Sequence, residues 1–401
     1  MAAVAKRLAS IQPFHVMALL GRARELEAQG RSIIHMEIGE PDFTTPEPVI
    51  RAGMRALEQG RTHYTPSVGL SELRQTIADS YRDRFGVLID PGRIVVTPGS
   101  SGALQLILAC LVDSGSQVLM ADPGYPCNRN FVYLFEGEPV GIPVGAQQHY
   151  QLSAQLIEQY WTESTRAALV ATPSNPTGTV IPQSEFQALL DVVRQRNGYL
   201  IVDDIYQNLC NASSPRTALS LGDDIFVINS FSKYFGMTGW RLGWLVAPTS
   251  FIGYLDALAQ NLFLSAPTVA QYAALAAFGP ESLEILEQRR MEFQSRRDFL
   301  LPALRELGFE IDVEPEGAFY LYADCSRLTD DSSSFAAGLL DKAGVAITPG
   351  LDFGQYQAGS HVRFAYTTSI EQLEQGVERI RTYPVSYTHL RAHETASFIS
   401  Y

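Results

Sequence analysis

One lysine of this sequence stands in an unusual setting. Lys233 lies just beyond the apolar run "DIFVIN", in an uncharged stretch that lasts until Arg241, eight positions later. Burial disfavours the charged form of a lysine, and a fixed cation such as Arg241 acts in the same direction, so both lower its pKa. A neutral lysine amine can form a Schiff base with an aldehyde. The pattern therefore indicates an amine used in covalent chemistry, although residue type alone favours an ordinary surface lysine.

Further polar residues follow the ends of other short apolar runs. In an open parallel sheet, ligands bind beyond the carboxyl ends of the strands, so residues that follow several strands meet at one edge. We therefore expect these residues to surround one ligand together with Lys233. They are Ser100 and Ser101 after "RIVVT", Tyr125 after "SQVLMAD", Asn175 after "RAALVAT", Asp203 and Tyr206 at and after the end of "YLIVDD", and Ser230 and Ser232 after "DIFVIN".

Several of these residues suit a phosphate group. Ser100 and Ser101 open a predicted helix, whose free backbone N–H groups and positive dipole end bind anions. Ser230 and Ser232 add hydroxyl donors, and Arg241 adds a charged guanidinium. The alternative is that Ser100 or Ser101 caps the helix and binds nothing.

The remaining residues suit a pyridine ring, so the set favours a phosphorylated aromatic aldehyde over a nucleotide. Asp203 can hold a pyridine nitrogen protonated, which makes the ring an electron sink. Tyr125 offers an aromatic face for stacking, and Asn175 and Tyr206 can hydrogen-bond a ring oxygen. The adjacent Asp204 has no role in this hypothesis. Each of these residues, taken alone, could equally be a turn or core residue.

The elements that position these residues alternate along the chain. Short apolar strands alternate with amphipathic helices over residues 46–280, which predicts an α/β fold with a large, mostly parallel sheet covered by helices. We predict that residues 281–384 form a smaller α+β domain together with the N-terminal segment, residues 1–45. This smaller domain should hold a long charged helix followed by strands at "FEIDV", "GAFYLYAD", "GVAITPG" and "HVRFAYT".

Composition argues against several classes of protein. The 401 residues carry a formal net charge of −13, which argues against binding to nucleic acid or to an anionic membrane surface, since both need a basic face. No apolar run approaches the ~20 residues of a membrane span. The four cysteines form no CxxC pair, which favours reduced thiols over disulfides or a zinc site. We expect a cytoplasmic protein without a bound metal.

With these residues identified, the sequence resembles the class I/II aminotransferases of the fold type I pyridoxal-phosphate enzymes. The resemblance runs in the family's order from about residue 14 to residue 383, and the ordered set is specific although each block alone is weak. The blocks that carry it are "EIGEPDF", "DPGYP", "PSNPTG", "VDDIY", "SFSKYFGMTGWRLG" and "VRFAYT".

The resemblance implies a cofactor, a reaction and further site residues. Pyridoxal 5'-phosphate would bond to Lys233, which would then move a proton at the substrate Cα, with Asp203 and Tyr206 also in the catalytic set. The reaction would be a ping-pong exchange of an amino group between an L-amino acid and a 2-oxo acid, most often 2-oxoglutarate.

Three more positions gain roles from the same resemblance. Arg363, in "VRFAYT", would grip the substrate α-carboxylate, where Asn175 would also bind, and Gly39 would let the N-terminal segment approach that group. Tyr64 would reach the cofactor phosphate of a neighbouring subunit, which implies a homodimer with shared active sites.

Two other functions would keep the same cofactor. A carbon–sulfur lyase would end the reaction in β-elimination, and a sensor domain of a transcription regulator would do no chemistry, although such regulators carry a basic module that the acidic charge does not suit. The amino donor also stays open. No second arginine for a dicarboxylate can be assigned, and Phe14, Phe319 and Tyr320 suit either an apolar substrate or the core.

The last residues depart from the family pattern. Residues 385–395, "VSYTHLRAHET", do not continue the helical period of "EQLEQGVERIRTY" and resemble a translated sequencing-library adapter. We predict that the native chain ends near Tyr383 and that residues 385–401 are a non-native tail that touches no cofactor.

Overall fold

Strands and helices alternate through most of the chain in the computed structural model, which describes residues 4–11, 13, 15–211 and 216–383. The strands are β1 (Ile34–His35), β2 (Ile94–Thr97), β3 (Gln117–Asp122), β4 (Glu138–Pro143), β5 (Thr165–Ala171), β6 (Tyr199–Asp203), β7 (Phe226–Ser230), β8 (Gly243–Val246), β9 (Tyr320–Asp324), β10 (Val345–Ala346), β11 (Thr348–Pro349) and β12 (His361–Ala365). The α-helices are α1 (His15–Ala28), α2 (Glu47–Glu58), α3 (Ser71–Phe85), α4 (Gly99–Leu111), α5 (Pro126–Leu134), α6 (Ala154–Tyr160), α7 (Gln183–Gln195), α8 (Ile252–Leu262), α9 (Thr268–Leu275), α10 (Pro280–Glu306), α11 (Ser332–Gly338) and α12 (Ile370–Thr382).

Seven strands form the central sheet, in the order β2-β8-β7-β6-β5-β3-β4. Neighbours pair in parallel except at β8, which runs antiparallel to β2 and to β7. The carboxyl ends of β2, β3, β5, β6 and β7 therefore lie at one edge of the sheet, and Arg241 lies there too, just before the amino end of β8. This common edge is what brings the predicted site residues together.

Helices cover both faces of this sheet, and for that reason its strands are continuous apolar runs. Val95 and Val96 of β2 point to opposite faces, and both are fully buried. Val95 packs in a cluster with side chains of α4 and α8, and Val96 packs in a cluster with side chains of α3 and α7. The predicted α/β fold with a mostly parallel, helix-covered sheet is confirmed.

A smaller α+β region combines the two ends of the chain. β1, from the N-terminal segment, pairs in parallel with β10, while β11, β12 and β9 form an antiparallel sheet in that order. The predicted long helix is α10, which leads into this region. The exact domain boundaries at residues 46 and 281 stay predictions.

Two predicted strands of this region differ from the structure. The "FEIDV" stretch is not a strand, because Glu310 alone pairs with the sheet, through an isolated bridge to Asp324. Phe309 and Ile311 are nevertheless buried. The alternating apolar pattern therefore indicates burial here, although the stretch forms no ladder of β-sheet hydrogen bonds. The "GVAITPG" stretch is divided into β10 and β11, because the two halves pair with different partners, β1 and β12.

Among the described helices, none is both long and apolar enough to cross a membrane. In the described part of the chain, no group of three or more His, Cys, Asp or Glu side chains could hold a metal ion, and the four cysteines are free. Phe14 and the predicted tail at 385–401 lie outside the described residues.

Candidate active site

A cavity of about 280 Å³ lies at the edge where the parallel strands of the central sheet end. It brings together every residue that the sequence predicted for the site except Tyr64, whose side chain is 79% exposed and does not line it. The predicted residues that line the cavity are Gly39, Ser100, Ser101, Tyr125, Asn175, Asp203, Tyr206, Ser230, Ser232, Lys233, Arg241 and Arg363.

Lys233 follows β7 closely and holds its amine inside this cavity. Nζ donates a hydrogen bond of 2.6 Å to the carbonyl oxygen of Gly39. Burial lowers the pKa of Lys233 to about 8, because the charged amine loses water; Glu40 opposes this effect, and the cations Arg363 and Arg241 add to it. The sequence indicated burial and Arg241 as causes, whereas Arg363 acts on Lys233 only because the fold brings it there.

The two adjacent carboxylates at the end of β6 lie in different environments. Asp203 lines the cavity and accepts a hydrogen bond of 3.3 Å from the backbone N–H of Ile205. Burial raises the pKa of Asp203 to about 6, although that hydrogen bond and Lys233 oppose the rise. Asp204 does not line the cavity; its carboxylate accepts a hydrogen bond of 3.4 Å from the Thr217 hydroxyl. Of this pair, Asp203 is the one that can meet a ligand.

The start of α4 forms a cradle of anion donors. Gly99 has a φ of +71°, and a Cβ at that position would lie 2.7 Å from Nη2 of Arg241, so a glycine lets the guanidinium approach the helix N-terminus. Ser100 and Ser101 lie in the first turn. The N-cap residue is Pro98, so neither serine occupies the capping position that the alternative interpretation gives it.

Arg363, on β12, is held rigidly at another part of the cavity. Nη1 donates a hydrogen bond of 2.8 Å to Oδ1 of Asn175, and Nη2 donates to the carbonyl oxygen of Glu37. The guanidinium lies 4.4 Å from the ring centre of Tyr320 and 4.7 Å from that of Phe353. Two aromatic rings and two hydrogen bonds thus fix its planar group, which suits bidentate binding of a carboxylate.

The structure adds Tyr320 to the site, a residue for which the sequence left two interpretations. Its hydroxyl lies 2.8 Å from the hydroxyl of Tyr206, and its ring lines the cavity. A Cβ on Gly39 would collide with this hydroxyl, which explains the glycine at that position. Phe319, by contrast, is fully buried and does not line the cavity, so it is a core residue.

Both the sequence and the fold match one family of known proteins. The family model for aminotransferase class I and II matches residues 31–380. The chain belongs to this family. The aminotransferase prediction is therefore confirmed, whereas the roles of individual site residues stay predictions.

Named relatives of this aminotransferase resemble it over nearly its whole length. It is 38% identical over 374 residues to the valine–pyruvate aminotransferase of Mycobacterium tuberculosis, which covers 93% of this chain and 96% of that one. It is 36% identical over 383 residues to the (5-formylfuran-3-yl)methyl phosphate transaminase of Methanocaldococcus jannaschii, with 95% and 99% covered. The crystal structure of an aminotransferase from Mycobacterium tuberculosis matches with a TM-score of 0.92 at 38% identity, covering 96% of this chain and 99% of that one.

Proposed function

We propose that this aminotransferase binds pyridoxal 5'-phosphate in the cavity around Lys233 and exchanges an amino group between an L-amino acid and a 2-oxo acid by a ping-pong mechanism. One observation carries the proposal: a single cavity holds a lysine of lowered pKa, a carboxylate of raised pKa and the guanidinium groups of Arg241 and Arg363. When bound, the cofactor supplies an aldehyde carbon that bonds to an amine and a protonated ring that withdraws electrons from the substrate Cα.

The residues of the cavity fit the phosphate and the ring of this cofactor. The free N–H groups of α4 and the Arg241 guanidinium would hold the phosphate, and the close approach of Arg241 to Gly99 supports this. Asp203 fits the protonated ring nitrogen, because its raised pKa reflects a buried carboxylate that a cationic partner would stabilise. Tyr125 would stack on the ring.

Lys233 and Arg363 would handle the substrate. With a pKa of about 8, the Lys233 amine can both accept and return a proton near neutral pH, which a general acid–base must do. Arg363 would bind the α-carboxylate through its rigid fork, with Asn175 beside it. Tyr206 and Tyr320, joined through their hydroxyl groups, would orient the ring oxygen and exclude water.

The partner subunit and the substrates are also part of the proposal. Tyr64, exposed in one subunit, suits a role in the active site of a second copy, so we propose a homodimer. One relative is named for valine and pyruvate and the other for a furan phosphate. Both names support an amino-transfer activity for this chain, but they do not agree on the amino donor. The acceptor 2-oxoglutarate, which the family resemblance implies, stays a prediction.

Borohydride reduction of the holoenzyme followed by peptide mass spectrometry tests the proposal. The chain has three lysines, Lys6, Lys233 and Lys342, of which Lys6 and Lys342 are exposed. We expect the pyridoxyl mass on the Lys233 peptide alone. Lys233→Ala should abolish the visible absorption of the bound cofactor and lower turnover by about 10³-fold or more.

Lys342→Ala is the matched control and should retain both absorption and turnover. A pyridoxyl group on Lys6 or Lys342, or a Lys233→Ala protein that keeps the absorption band, would contradict the proposal.

A further inference from the structure

The cavity has an apolar wall that the cofactor proposal does not use. The first two turns of α1 contribute Val16, Met17 and Leu20 to its lining. Met17 is 58% exposed although it is a large apolar residue. Such a side chain at the edge of a cavity gains stability when another apolar group covers it.

This wall is connected to the residue proposed to bind the α-carboxylate. Phe353 lies against the Arg363 guanidinium, and the preceding residue, Asp352, accepts a hydrogen bond of 2.8 Å from the backbone N–H of His15, the first residue of α1. Arg363, the 352–353 loop and α1 thus form one connected side of the cavity. These contacts indicate that a substrate bound by Arg363 would place its side chain toward α1.

Asp352 sets the charge of this side. It lines the cavity and is 5% exposed. Among the described residues that line the cavity, Lys233, Arg241 and Arg363 carry positive charge, and each is already assigned to the cofactor or to the α-carboxylate. A second carboxylate on the substrate would therefore meet Asp352 without a further cation from this part of the chain, and like charges repel strongly where water is scarce.

We propose that the amino donor carries an apolar side chain, which packs on Val16, Met17 and Leu20, and that Asp352 excludes donors with a side-chain carboxylate. This inference rests on the proposed function. In a ping-pong reaction the acceptor binds where the donor has left, so the acceptor is a 2-oxo acid without a second carboxylate. That consequence goes against the expectation of 2-oxoglutarate.

Binding of two substrate analogues to the holoenzyme tests the side-chain preference directly. The analogues are 4-methylpentanoate, which is leucine without its amino group, and glutarate, which is glutamate without its amino group. By calorimetry, we expect 4-methylpentanoate to bind at least about tenfold more tightly. In turnover, leucine, methionine and phenylalanine should exceed aspartate and glutamate as donors by a similar factor.

Variants separate the two parts of the proposal. Asp352→Asn keeps the oxygen that accepts from His15 and should strengthen glutarate binding by about fivefold or more while changing 4-methylpentanoate binding by less than about twofold. Leu20→Ala should have the opposite selectivity: it should weaken the binding of 4-methylpentanoate by about fivefold and leave the binding of glutarate nearly unchanged. Asp330→Asn, at an exposed aspartate of the same region, is the matched control and should change neither.

The outcomes distinguish this inference from the proposed function. Tighter binding of glutarate than of 4-methylpentanoate, or equal effects of Asp352→Asn on both, would overturn the inference while leaving the cofactor proposal intact. Lysine or ornithine as the best donor would also overturn it, because Asp352 would then pair with a cationic side chain. Absence of any cofactor absorption or turnover would instead refute the proposed function.

Discussion

Replacing Lys233 by methionine in the cofactor-free protein should stabilise the fold, although it removes the amine on which the proposed chemistry depends. The pKa of Lys233 falls from 10.5 to about 8. Each unit by which the pKa falls corresponds to ~1.36 kcal/mol, so holding the charged amine in the cavity costs about 3 kcal/mol. The variant also loses the hydrogen bond from Nζ to Gly39, which offsets about 1 kcal/mol and leaves a net gain of about 2 kcal/mol in the free energy of unfolding.

This gain depends on pH in a defined direction. Below pH 8 the amine is protonated in the folded and the unfolded chain, so the cost is present in full. Between pH 8 and 10.5 the unfolded chain holds a proton that the folded chain has lost, so the stability of the wild-type protein rises with pH. The advantage of the variant should therefore disappear by about pH 10.

Urea denaturation at about pH 7 and about pH 10, at one protein concentration, measures this difference. Lys342→Met is the matched control: Lys342 is exposed, so this substitution should change stability by less than about 0.5 kcal/mol. A Lys233→Met protein that is no more stable than the wild type near neutral pH would refute the reasoning that the cavity disfavours the charged amine.

The remaining predictions concern β1 and the residues that follow it. The hydrogen bond of 2.8 Å between His35 and the buried Glu37 carboxylate raises the pKa of His35 to about 9, so the pair stabilises the fold fully below pH 6.5 and loses its effect as the pH rises through 9. His35→Gln should therefore lower the free energy of unfolding by about 1–2 kcal/mol at low pH, a value discounted because the ring is partly exposed. Urea denaturation over a range of pH measures this loss of stability. A loss that stays constant up to high pH would contradict the prediction. Gly39→Ala should lower kcat/KM by about tenfold or more because the new Cβ meets the Tyr320 hydroxyl. Adding Tyr320→Phe to the Gly39→Ala variant should restore part of the lost kcat/KM, because it removes the hydroxyl that the new Cβ meets. A double variant whose kcat/KM falls by more than the two single effects combined would count against the collision.

The sequence was informative wherever a local pattern determines position. A strand buried on both faces is a continuous apolar run, so its polar end is conspicuous, and parallel strands place those ends at one edge. Asn175, four residues after β5, Asp203 at the end of β6 and Ser230 at the end of β7 line one cavity for this reason. The same logic failed at "FEIDV", because alternating burial of Phe309 and Ile311 does not require a paired ladder.

Contacts between distant parts of the chain had no such signal. The bond between His15 and Asp352 joins residues that are 337 positions apart, and the bond between Lys233 and Gly39 joins residues that are 194 positions apart. Neither contact follows from spacing or composition, because each depends on how the N-terminal segment lies across the sheet edge. The pairing of Tyr206 with Tyr320 is hidden for the same reason.

Asp203 and Asp204 show how little local sequence separates a candidate functional carboxylate from a structural one. Successive side chains of a strand point to opposite faces, so only one of two adjacent residues at the end of β6 can enter the cavity. Asp204 continues the ladder, its N–H donating to the carbonyl oxygen of Ile228, and its carboxylate accepts from Thr217 on the far side. A shift of β6 by one residue would exchange the two carboxylates, so the register of β6 against β7 determines which acid meets the ligand.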